Sequence, residues 1–213
     1  MSTPPSLPTT LTSFEPRDFR SLAEIYRPAF FQTRLTNFIL EGVSPSACDE
    51  WFIERLRRAY HDKHEKGNDG VEILVAKRGE ECLGFAWWIF SPDIEERVSH
   101  ADERFWPEGT GSRDAVEYME RLDTADEVCT GRHWHLGVLG VHPEAQGQGI
   151  GRILTQWGID RAKSEDADAF LVATEVGRPL YTKMGFVHIG EPLVAPQKPD
   201  VVTWPMVLRL RKP

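Results

Sequence analysis

The residues best suited to chemistry are Gln146-Gly147-Gln148-Gly149-Ile150-Gly151-Arg152, where three glycines alternate ahead of an apolar run of helical period. Without a Cβ, glycine lets backbone N–H groups close on a ligand, and the first turn of a helix adds unpaired N–H donors and a partial positive charge. Such a turn favours an anion, above all a pyrophosphate; the structural alternative is a turn kept small only for tight packing. A nucleoside triphosphate loop needs GxxxxGK[ST], but Arg152-Ile153 follows the last glycine. The dinucleotide pattern GxGxxG starts at Gly147 and Gly149 and fails at Arg152. Arg152 either adds a cation to the anion site or points to solvent.

The other chemical residues are more scattered. His133 and His135, two apart, share a face of a regular strand, as a metal pair would, but no matching third ligand accompanies them, so no metal is expected. Cys48, Cys82 and Cys129 are odd in number, widely spaced and free of any CxxC pairing, which suits reduced thiols.

Placing the glycine turn requires a strand before it and a helix after it, and the sequence supplies both. Residues 133–141 read as a strand apolar on both faces; Ile150, Ile153, Leu154, Trp157 and Ala162 follow with helical spacing. Residues 169–174 form a further strand, which a right-handed crossover makes parallel to the first. Upstream, 71–77 and 82–90 are strands of a hairpin turning at Arg78-Gly79-Glu80-Glu81. Trp87 and Trp88 point to opposite faces there, one into the core and one free to wall a groove. A helix holds Phe19, Leu22, Ala23, Tyr26, Ala29 and Phe30, with Pro28 expected to kink or end it. A second carries Trp51, Phe52, Leu56 and Tyr60 opposite a charged, solvated face. Residues 177–184 make a short helix, and the last strand alternates Val202, Trp204, Met206, Leu208 and Leu210, with Pro205 marking an unpaired side or a bulge. The fold class is α/β (α+β), a mixed sheet with helices. Residues 1–12 read as a flexible tail and 13–213 as one domain with an insertion at about 91–131.

Composition narrows the partners. A net charge of −8 without a basic cluster argues against nucleic acid. No apolar run reaches the ~18 residues of a membrane span, and no secretory signal is present, so a soluble, cytoplasmic protein without membrane association is expected. Its oligomeric state is read as monomer or homodimer.

Leu139-Gly140-Val141-His142-Pro143 followed by Gln146-x-x-Gly149-x-Gly151 resembles the acetyl-CoA signature of the GCN5-related N-acetyltransferase (GNAT) superfamily, (Gln/Arg)-x-x-Gly-x-(Gly/Ala). Leu180-Tyr181-Thr182-Lys183-Met184-Gly185-Phe186 resembles its Tyr-x-x-x-Gly-Phe element. The resemblance runs from about Val71 to Phe186. It implies a mostly antiparallel central sheet with a splayed parallel strand pair, flanked by helices. It also implies acetyl-CoA as co-substrate, with Leu139 and Val141 offering main-chain hydrogen bonds to pantetheine and the amides of Gln146, Gly147, Gln148, Gly149, Ile150, Gly151 and Arg152 holding the pyrophosphate. Gly137 and Gly140 agree with this, since a strand bulges at such positions and frees backbone groups.

Acyl transfer to an amine needs a neutral nucleophile, a donor for the carbonyl oxygen and a proton for the departing thiolate. Tyr181 matches the family tyrosine near the sulfur and is the expected general acid; the alternative is packing alone. His135, beside the splay, and Glu175, at the end of the next strand, are the candidates for base. Against them stand a satisfied strand histidine and a carboxylate in the first turn of the following helix, with Thr174 as N-cap. The expected reaction is direct attack of a small-molecule primary amine on the thioester; the alternative is a non-catalytic CoA-binding module. The insertion, with Phe105, Trp106 and the acidic Asp93, Glu95, Glu96, Asp102 and Glu103, is read either as a lid over the acceptor or as a solvated surface loop.

Overall fold

Alternation of apolar residues on both faces of the hairpin requires a layer on each side of it. In the computed structural model, which describes residues 8–93, 107–110 and 113–211, helices supply those layers. The strands are β1 (Thr9–Ser13), β2 (Val71–Arg78), β3 (Glu81–Ser91), β4 (His133–Val141), β5 (Asp168–Ala173), β6 (Val187–His188), β7 (Leu193–Ala195) and β8 (Lys198–Leu208). The helices are α1 (Phe19–Phe30), α2 (Arg34–Ile39), α3 (Pro45–His64), α4 (Arg113–Asp123), α5 (Ile150–Ser164) and α6 (Arg178–Lys183). The sheet runs β1-β2-β3-β4-β5-β8-β6, with β7 on β8. Every pairing is antiparallel except β4 with β5.

The two faces divide the hairpin residue by residue. Ile73, Val75, Phe85 and Trp87 pack under α1 and α3 with Leu22, Phe52 and Leu56. Leu74, Ala76, Ala86 and Trp88 pack on the other side with Ile150 and Leu154 of α5. α5 lies so close to β3 that a Cβ at Gly158 would overlap the Trp88 indole. The parity of the two tryptophans is as expected, and the layers decide their fates: Trp88 is fully buried, whereas Trp87 borders a cavity.

Two features depart from expectation, and a third agrees with it. Residues 9–12, assigned above to a flexible tail, form β1 together with Ser13, with Thr9 opposite Arg78 and Ser13 opposite Leu74. Their threonines tolerate a strand but carry no apolar period to announce one, and the ladder comes from the free edge of β2, a tertiary effect. Pro28 does not stop α1, which continues to Phe30, because a proline in the last turn deprives only one carbonyl of its donor. The 91–131 stretch reads as acidic and irregular with a helical hint at Asp114 to Leu122, and the structure bears that hint out. It contains α4, anchored where Tyr118 donates to the Leu193 carbonyl (2.8 Å), with its hydroxyl also 2.9 Å from Thr203 Oγ1. Glu95, Glu96, Asp102, Glu103, Phe105 and Trp106 lie outside the described residues.

Pro205 stands in β8 where the ladder is broken. Its carbonyl accepts from Ile189 on the β6 side, so its missing N–H also faces that side, between the end of β6 and the start of β7. No helix among the described residues is long and apolar enough to cross a membrane.

Candidate functional site

β4 parts from both neighbours at one place. Toward β3, Trp87 faces Val138 while Trp88 faces Leu136, so Gly137 is the extra residue of a bulge. Toward β5, the parallel ladder ends at Leu136 opposite Leu171, although β4 runs on to Val141 and β5 to Ala173. The strands splay beyond that point. His142 N–H donates to the Leu83 carbonyl (2.9 Å). Alternation of the antiparallel ladder then makes Phe85–Gly140 and Trp87–Val138 the hydrogen-bonded pairs, which turns the main-chain groups of Leu139 and Val141 into the splay. Gln146 Nε2 reaches back to the Val141 carbonyl (3.2 Å) and ties the following turn to the end of β4.

The turn is built around two left-handed glycines, Gly147 (φ 74°) and Gly149 (φ 84°), the latter the N-cap of α5. A Cβ at either would meet nothing within 4 Å: the backbone conformation demands glycine, and the space above it is open. Gly151 differs, because a Cβ there would come 3.3 Å from Leu180 of α6. The amides of Ile150, Gly151 and Arg152 open a 15-residue helix and have no intrahelical acceptor. They border a groove of about 430 Å³ lined also by Val141, Gln146, Gly147, Gly149, Leu180 and Lys183. Lys183 is a second cation beside Arg152 that the sequence reading did not single out, two positions after Tyr181. Gln148 is expected to offer its main-chain amide, and its side chain is engaged elsewhere. Its side chain accepts from Arg78 Nη2 and donates to the Glu144 carbonyl, both at 2.9 Å, and it does not line the groove.

Through Val141, Gln146, Gly147 and Leu180 the groove opens into a cavity of about 600 Å³ between the splayed strands and α1, α2, α3, α4 and α6. Tyr181 lines it from α6, 7% exposed, and burial pushes its hydroxyl well above the usual phenol range. Gly177 makes room for that ring, since a Cβ there would stand 2.9 Å from it. Leu139 and His135 line the cavity from β4, the imidazole edge-on to Phe170 at 5.1 Å.

Two expectations are redirected. Glu175 does not line the cavity; Oε1 accepts from the Arg34 N–H (3.0 Å) at the start of α2. The carboxylate does sit at a helix N-terminus, but of a helix distant in sequence, which local spacing could not reveal. Thr174 Oγ1 accepts from Gly177 (3.3 Å), capping the turn that leads into α6. His133 shares the Phe170 face with His135 but is fully buried, with Nδ1 2.8 Å from the Gly131 carbonyl and Nε2 3.5 Å from Asp126 Oδ2. No group of three or more His, Cys, Asp or Glu able to hold a metal occurs among the described residues.

The insertion reaches the cavity through Pro107, Met119, Leu122 and Asp123. Asp93, from the acidic run, instead accepts from the Arg132 N–H (2.9 Å). α3 contributes what the sequence reading missed. Arg55, placed above on a solvated face, lines the cavity with its guanidinium 5.0 Å from the rings of both Trp51 and Trp87. The Trp51–Arg55 spacing of four is the one local signal that could have found it.

Residues 20–186 match the family model described as "Acetyltransferase (GNAT) family". Mycothiol acetyltransferase from Arthrobacter sp. (strain FB24) is 25% identical over 156 residues, 71% of this chain and 43% of that protein. Mycothiol acetyltransferase from Acidothermus cellulolyticus is 29% identical over 160 residues, 68% of this chain and 43% of that protein. The chain thus spans less than half the length of these relatives. The structure of yncA from Salmonella typhimurium with its cofactor acetyl-CoA superposes with a TM-score of 0.56 at 18% identity, covering 96% of this chain and 95% of that one.

Proposed function

The chain belongs to the GNAT acetyltransferase family, and we propose that it moves an acetyl group from acetyl-CoA to the primary amine of a small molecule. The observation that carries this reading is the continuity of a groove over the α5 amides, an unpaired strand edge and a cavity lined by Tyr181 and His135. The residues fit the co-substrate. The left-handed glycines leave open space over the helix amides, and Arg152 and Lys183 flank it, as a pyrophosphate requires. The main-chain groups of Leu139 and Val141 in the splay suit the amide-bearing pantetheine arm. Acetyl-CoA, when bound, supplies the acyl group as a thioester.

The chain's own groups supply the proton handling. Tyr181 is protonated at neutral pH, as any phenol is, and although burial makes it a weaker acid, its hydroxyl in the cavity is the proton we assign to the departing thiolate. His135 takes the proton of the amine, directly or through water. A positioned acid or base of this kind contributes about 10²–10⁴-fold. Glu175 acts at one remove by fixing α2, one wall of the cavity. A cavity of about 600 Å³ suits a small acceptor, since such sites commonly span ~300–1,000 Å³. The names of the mycothiol acetyltransferases agree with acetyl transfer.

Calorimetry with acetyl-CoA, followed by thiol release over a panel of amines, tests the reading. Binding with turnover of at least one amine is expected. Absence of binding removes the reading, and binding without turnover across a broad panel identifies a non-catalytic CoA-binding module.

A further inference from the structure

Arg55 is the strongest unexplained group in the molecule. It lines a cavity whose other described walls are largely apolar and aromatic, and its guanidinium carbon stands 5.0 Å from the ring centroids of both Trp51, one helical turn away, and Trp87 of β3. Contact of this kind engages the π faces of the indoles and leaves the group's five N–H donors available to a further partner. No described residue accepts a hydrogen bond from those donors or lies in ion-pair contact with them. Asp123, the one carboxylate among the described lining residues, is exposed and reaches Arg55 only as a charge through space. A neighbouring donor is in the same condition: the buried indole N–H of Trp87 has no hydrogen-bond partner, and Trp87 is 8% exposed.

Arg55 is half-buried, so its donors face the cavity and its water, and an anion entering there would meet a cation already set between two indoles. The complement to a planar guanidinium is a planar, bidentate anion. Burial also pulls the guanidinium below its usual range, which a bound anion would reverse. The same cavity holds Ile89, which pairs with His135 across the sheet, on the strand face shared with Trp87. One continuous face therefore runs from the cation to the proposed base.

We propose that Arg55 anchors a carboxylate of the acceptor, so that the amine acetylated here belongs to an amino acid or similar molecule with an apolar or aromatic body. This deepens the reading of the cavity as the acceptor site and rests on it.

Two measurements separate the inference from that reading. The first is direct binding to the CoA-loaded protein, by calorimetry, of 3-phenylpropanoate against its primary amide, which needs no turnover. The carboxylate should bind at least tenfold more tightly, and Arg55→Met should abolish the difference while leaving CoA affinity unchanged, with the thermal midpoint of the apo protein recorded to show that the variant is folded. Arg55→Lys, which keeps the charge but not the fork, should recover only part of it. The second is kcat/KM for phenylalanine against phenethylamine, where the wild type should favour the carboxylate-bearing amine by about 10²-fold, since truncating a buried charge pair costs that order. Arg55→Met should remove the preference mainly through KM. If the carboxylate binds no better than the amide, or Arg55→Met keeps the discrimination, the inference is overturned even where amines are acetylated. If the carboxylate binds through Arg55 and no amine is turned over, the anion site stands and the acetyl-transfer reading falls.

Discussion

Gly149 and Gly67 make a matched pair for testing the phosphate turn. Both are left-handed, φ 84° and 68°, and at both a Cβ would meet nothing within 4 Å. Gly67 lies in the connection from α3 to β2, outside the residues lining the groove and the cavity. Replacing either by valine forces a β-branched residue into the left-handed region, at about 2 kcal/mol each and without a packing clash. For a chain of this length that corresponds to a fall of roughly 4–8 °C in thermal midpoint. The apo proteins should therefore lose stability to similar extents. Only Gly149→Val places methyl groups over the helix amides, where a pyrophosphate would sit. Each charge-assisted bond displaced is worth ~1.5–3 kcal/mol, so loss of one or two weakens CoA binding by at least about tenfold, with ~10²-fold expected. Differential scanning fluorimetry measures the first quantity and calorimetry with CoA the second. Wild-type CoA affinity in Gly149→Val, or an equal loss of affinity in Gly67→Val, would refute the assignment of this turn to the phosphates.

Tyr181→Phe keeps the ring that packs on Phe186 and removes only the hydroxyl, so turnover should fall about 10²-fold or more with CoA affinity unchanged; unchanged turnover under conditions where chemistry limits the rate would leave Tyr181 a packing residue. The buried His133–Asp126 pair should make stability depend on pH. Burial alone pulls His133 down, but the Asp126 carboxylate and the Cys129 thiol outweigh it and set the imidazole at about 9. Burial raises Asp126, whereas His133, the charge of His135 and the Ser91 hydroxyl bring it to about 2. A histidine raised on folding stabilises fully below its ordinary value near 6.5 and loses that contribution as pH climbs through about 9; the carboxylate stabilises above about 4 and loses its contribution as pH falls through about 2. Urea unfolding should thus show a plateau near pH 4–6.5 and a decline of up to about 3 kcal/mol by pH 9.5. His133→Gln should flatten the alkaline decline, and an unchanged slope in that variant would clear His133 of it.

What the sequence determines here is what neighbouring residues decide among themselves. The β2–β3 hairpin follows from a two-residue apolar period broken at Arg78-Gly79, and α5 from a 3.6-residue period begun by left-handed glycines. The glycine turn proposed for the phosphates is legible because its amides are consecutive and fixed by the local backbone. Gly137 could be read as a bulge because glycine weakens a strand wherever the strand lies. Tertiary structure decides every question that requires a second segment. β1 exists because the edge of β2 accepts it, although Thr9–Ser13 has no strand pattern of its own. Glu175 meets the start of α2 across 141 residues of chain. Periodicity gives Trp87 and Trp88 opposite parity but not the identity of their sides, and only the docking of α5 on one face and α1 with α3 on the other makes Trp88 core and Trp87 cavity wall. Arg55 is the clearest case. Its charge suits water on an isolated helix, and it becomes a site only when β3 brings the second indole against it, because local patterning records which residues can share a face and packing determines what that face meets.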